Sequence, residues 1–66
     1  MKLTKMQEQS IANEYRKVKE AHDRYRSEGN EHSFKLADAE LTGMKKILCA
    51  LGIGVANIDG KWIVQH

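Results

Sequence analysis

Sixty-six residues, with eleven Lys and Arg against nine Asp and Glu, give a formal net charge of +2 and allow a single domain spanning 1–66. Charged side chains of both signs make up 30% of the chain, which describes an ordinary solvated surface and not a dedicated, strongly basic nucleic-acid binder. Cys49 is the only cysteine, so no disulfide forms within the chain, and a four-ligand zinc site would have only that thiol and the scattered His22, His32 and His66 to draw on.

A chain this short buries only roughly 60% of its unfolded surface and is marginal as a monomer. With disulfides and metal set aside, oligomerisation is the remaining source of stability, and a homo-oligomer, a dimer or higher, is expected. No apolar run approaches the ~18 residues of a membrane span, and no charged-then-apolar leader pattern is present. A lone cysteine suits a reducing compartment. The expected setting is therefore cytoplasmic, with no membrane partner.

Proline is absent and the first glycine is Gly29, so nothing breaks a helix early in the chain. Ile11, Tyr15, Val18, His22 and Tyr25 recur at spacings of four, three, four and three, the helical period. Thr4 is a suitable N-cap, and Arg24 and Arg26 suit the negative end of the helix dipole. These signals predict a helix over about 4–27. Ser27-Glu28-Gly29-Asn30 then punctuates the chain: Gly29 can take the left-handed closing conformation, and Asn30 or Ser33 can cap a second helix. So short a connection makes the two helices antiparallel neighbours.

The second helix is predicted over about 31–51. Phe34, Ala37, Leu41, Met44, Leu48 and Leu51 keep the helical spacing without a break and form the seam against the first helix. Leu36, Ala39, Gly43, Ile47 and Ala50 make a second stripe on another face. Gly43 in mid-helix costs about 1 kcal/mol relative to alanine, which close approach by another helix would explain. Two stripes make this the expected central helix, with the ribbon that follows or a second subunit on its other side.

Gly52 ends that helix. Val55-Ala56-Asn57-Ile58 and Lys61-Trp62-Ile63-Val64 flank Asp59-Gly60, a strong signal for a type I′ turn with positive φ at both central residues. A β-hairpin over about 54–58 and 61–65 follows, pairing Ile58 with Lys61 and Val55 with Val64. Both faces are apolar, and an isolated ribbon is barely stable in water. One face should pack on the helices, leaving the other face or an edge for a second copy. Trp62 is either the lid on the helical core or an interface anchor. The fold class is α+β, mainly α: an antiparallel helical hairpin followed by a short C-terminal β-hairpin.

Signals for chemistry are weak. No Ser/His/Asp order, paired carboxylates or phosphate loop is readable, and Gly52-Ile53-Gly54, half of a dinucleotide fingerprint, follows a helix where that fingerprint follows a strand. Neither enzyme activity nor a cofactor nor a metal is expected. Cys49 sits near a helix C-terminus, which works against the thiolate although Lys45 and Lys46 are a turn away, and it reads as inert. His22 in the first apolar stripe reads as a boundary residue with one nitrogen satisfied; His32 reads as exposed and His66 as a mobile end. Among Lys2, Lys5, Arg16, Lys17, Lys19, Arg24 and Arg26, the carboxylates Glu14, Glu20 and Asp23 stand at pairing distance from Lys17, Arg24 and Arg26, so the first helix reads as a solvated face.

The expectation is a small non-enzymatic protein–protein interaction module that self-associates, with Leu36, Ala39, Gly43, Ile47, Ala50 and Trp62 as its interface. One alternative is a nucleic-acid-binding accessory protein using Arg16, Lys19, Arg26 and Lys61. Another is a small inhibitor or regulator docking on a larger protein.

Overall fold

The computed structural model describes residues 2–66 and has four elements in chain order: α1 (Lys5–Glu28), α2 (Glu31–Ala50), β1 (Gly54–Ile58) and β2 (Lys61–Gln65). The architecture is the expected antiparallel helical hairpin followed by a two-stranded antiparallel ribbon.

Local chemistry sets every boundary. At the start of α1, Thr4 Oγ1 accepts from the Gln7 amide at 3.1 Å while Gln7 Oε1 accepts from the Thr4 amide at 2.9 Å, a reciprocal capping box. Gly29, at φ 71°, closes α1, and the amides of Gly29 and Asn30 donate to the Arg26 and Tyr25 carbonyls at 3.3 and 3.0 Å. Asn30 then caps α2, its Oδ1 accepting from the Ser33 amide at 3.2 Å. The two residues that both suited the cap therefore bond to each other.

α2 closes in the same way. Gly52 has φ 72°, its amide donates to Cys49 at 3.0 Å, and the Ile53 amide reaches back to Leu48 at 2.8 Å. This Schellman arrangement places Ile53 against the helix end, only 6% exposed, whereas Leu51 falls outside the helix and is 45% exposed. In the ribbon, Asp59 and Gly60 take φ 51° and 82°, as a type I′ turn requires, and Asn57 Oδ1 accepts from the Gly60 amide at 3.1 Å. The register is the expected one, from Ile58 opposite Lys61 to Gly54 opposite Gln65.

The core is thin. The molecule measures 39 × 25 × 16 Å, and even its best-enclosed side chain, Leu41, is 4% exposed. Val18 and His22 of α1 and Ala37 and Leu41 of α2 are buried in the hairpin, with Ala12 on the ribbon side of α1 and Ile53 at the corner.

One expectation is overturned. The central helix is α1, not α2: α1 meets α2 along one side and β2 along another, while the ribbon scarcely touches α2. Trp62 packs on Tyr15 with ring centroids 5.7 Å apart and planes at 53°, and β2 continues antiparallel to α1 until His66 meets Glu8. The reason is reach. Residues 51–53 span at most roughly 10 Å, and a helix with its side chains is about 10–12 Å across. A connection of that length cannot carry the ribbon around α2 to its far stripe.

Candidate functional site

That far stripe is uncovered. Leu36 and Ile47 are 62% and 65% exposed, Ala39 and Ala50 are exposed between and beyond them, and Gly43 is half-buried at their centre. A Cβ built on Gly43 would meet nothing within 4 Å, so no contact inside the chain requires glycine there. Leu36 borders a shallow depression of about 260 Å³ that reaches across to Ala21 and Tyr25 of α1. Another, of about 340 Å³, lies among Leu3, Met6 and Ile11, where Met6 is 79% exposed. Five of the six expected interface residues thus share one side of α2. Trp62 stands apart from them, half-buried in the contact between ribbon and α1.

His22 departs from expectation more sharply. It is 8% exposed and both ring nitrogens are engaged: Nδ1 lies 3.0 Å from Asp23 Oδ1 and Nε2 lies 3.1 Å from Asp38 Oδ1. The ring rests on Phe34 at 4.7 Å. A neutral imidazole has one N–H, so only the protonated ring donates to both carboxylates at once. The signal was present in the sequence. In a hairpin that turns at Gly29-Asn30, residues whose numbers sum to about sixty lie level, which sets Asp38 opposite His22.

The hydrogen bond from His22, then that from Lys19, holds the Asp23 carboxyl below its ordinary range. A lowered carboxylate value stabilises the fold fully above the ordinary range and loses that contribution as pH falls through the lowered value. Acid titration followed by circular dichroism should show this loss, and Asp23→Asn should flatten that part of the curve. Asp23 is 56% exposed at its side chain, so the effect is small.

The basic residues of α1 are partly neutralised, though not with all the expected partners. Lys17 and Glu14 pair at 3.5 Å as expected. Arg24 reaches forward to Glu28 at 3.9 Å instead of back to Glu20, and it also lies 4.9 Å over the Tyr25 ring. Asp23 is taken by Lys19 at 3.1 Å and by His22, instead of by Arg26. His66, expected to be mobile, places Nε2 2.6 Å from Glu8 Oε2 and fastens the ribbon's end to α1.

The four candidate nucleic-acid contacts are not gathered together. Lys19 is in its ion pair, Lys61 lies at the turn end of the ribbon, and Arg26 follows Arg16 by ten residues, or about 15 Å of helix. Arg16 instead lines an open groove of about 640 Å³ between α1 and β2, with Lys5, Gln9 and Asn13 on one wall and Trp62, Ile63 and Val64 on the other. The sequence reading missed this groove, because it depends on which helix carries the ribbon.

Among the described residues no three His, Cys, Asp or Glu side chains converge as metal ligands, and no helix is long and apolar enough to cross a membrane. The chain matches no family model, no curated protein and no solved structure.

Proposed function

We propose that this chain is a small non-enzymatic interaction module that assembles with copies of itself through the outer face of α2. The carrying observation is the pairing of large exposed apolar side chains, Leu36 and Ile47, with a mid-helix glycine over which space is empty. Surface of that kind on a protein with so thin a core is most economically buried against another subunit.

The stripe also has a symmetry that favours a second copy. Leu36 and Ala50 lie seven residues either side of Gly43, and Ala39 and Ile47 lie four either side. Two α2 helices crossing antiparallel on a two-fold axis at Gly43 bring each large residue level with an alanine of the other copy. An isologous interface needs this kind of self-match. The exposed free thiol of Cys49 accords with a reducing, cytoplasmic setting.

Sedimentation at micromolar concentrations should show a dimer or higher species; a monomer at high micromolar concentration overturns the proposal. Gly43 gives a sharper test. In a monomer, Gly43→Ala should only stabilise, by about 0.5–1 kcal/mol, because the helix gains propensity and nothing is crowded. In the assembly Gly43→Leu should force the two helices apart and shift the population to monomer. Unaltered assembly in Gly43→Leu would remove Gly43 from the interface.

A further inference from the structure

The ribbon has only two strands, so the outer edge of β2 is unpaired within the chain. The two-residue turn fixes which groups lie on that edge. Ile58 and Lys61 flank the turn as a hydrogen-bonded pair, and bonded and non-bonded pairs alternate from there. Lys61, Ile63 and Gln65 therefore turn their backbone groups toward β1, and Trp62 and Val64 turn theirs outward. No described residue hydrogen-bonds to those outward groups.

This edge overlooks the groove of about 640 Å³, whose α1 wall carries Lys5 and Arg16. Neither cation has an anionic partner among the described residues. The carboxylate in the same groove, Glu8, is held by His66. A row of unused main-chain donors and acceptors beside two unpaired cations calls for an extended chain bearing negative charge.

We infer that the α1–β2 groove takes an extended acidic peptide as a third strand on β2. The dimensions agree. Lys5 and Arg16 are eleven residues apart, or about 16 Å along a helix. At about 3.4 Å per strand residue that is four to five residues, so carboxylates four positions apart, on the same face of the strand, reach both cations. A second copy fits less well, because the edge it offers, Lys-Trp-Ile-Val-Gln, brings a lysine and no carboxylate. A nucleic-acid strand would meet the cations but leave the outward amides and carbonyls of β2 without the matching ladder.

The test uses the full chain and a seven-residue peptide alternating glutamate and valine. Trp62 is the only tryptophan, so its emission reports the groove directly. A saturable emission change is expected, with affinity falling at least tenfold in Lys5→Glu/Arg16→Glu. The same peptide N-methylated at the residues that would bond to β2 should fail to bind. No emission change up to millimolar peptide, or equal binding by the methylated peptide, overturns the inference; so does a single-stranded oligonucleotide that binds there when the peptide does not. Sedimentation of the double variant should match the unaltered chain, which separates this outcome from the fate of the α2 interface.

Discussion

Leu41→Ala is expected to shift the urea midpoint further than any other single truncation in this chain. Leu41 is the best-enclosed side chain, 4% exposed, and sits on the α2 seam beside a short roll of other buried residues. Burying too little apolar surface is the chain's main weakness, and the loss falls where burial is greatest. Leucine-to-alanine changes in cores cost about 2–5 kcal/mol. A thin core relaxes into the gap more readily than a thick one, so the lower half of that range applies. Against a total stability of roughly 3–10 kcal/mol for a chain of this length, a loss of about 2–3 kcal/mol leaves a sizeable unfolded fraction at 37 °C. The control is Leu51→Ala: 45% exposed and outside the helix, it should move stability by less than about 0.5 kcal/mol. Equal effects from the two would mean that the seam is not where the fold is held.

Ile47→Glu should act in the opposite place, sparing the fold and abolishing assembly. Ile47 is 65% exposed, so the single chain loses little when it changes. At a two-fold interface the same residue is used twice. Burying each isoleucine is worth about 1.5–3 kcal/mol, so the pair contributes roughly 3–6 kcal/mol, a hundredfold or more in the dissociation constant. Sedimentation velocity should report a monomer while circular dichroism keeps its helical signal. A variant that still assembles as tightly would move the interface off α2.

What the sequence made legible was local. Thr4, Gly29, Asn30, Gly52 and the Asp59-Gly60 turn act over three or four residues, and each is found where its chemistry demands. The seam was legible because its spacing is unbroken; Ala37 and Leu41 lie buried at its middle, while Leu51 drops out where the helix closes. Ala12 escaped notice because an alanine beside the Ile11–Tyr15 stripe adds almost nothing to a periodic pattern. Ile53 escaped because it stands between two glycines, where no periodicity exists to be read. The docking of the ribbon depends on the direction in which the chain leaves the turn at Gly52, a three-dimensional quantity that residue spacing does not encode. The groove beside Arg16 follows from that docking, so it could not be read earlier. The contact from His22 to Asp38 needed only the arithmetic of the hairpin.

The place of α1 between its two neighbours has one more consequence. α1 is the trunk against which α2 and the ribbon each pack as an arm, and the arms meet each other directly chiefly at the corner of residues 51–53. Here one route from the ribbon to α2 runs along the 24 residues of α1, and the other is the short corner at residues 51–53, where the Ile53 amide donates to the Leu48 carbonyl. The ribbon can lift without parting the hairpin seam, but both arms lose the surface they pack on if α1 unwinds.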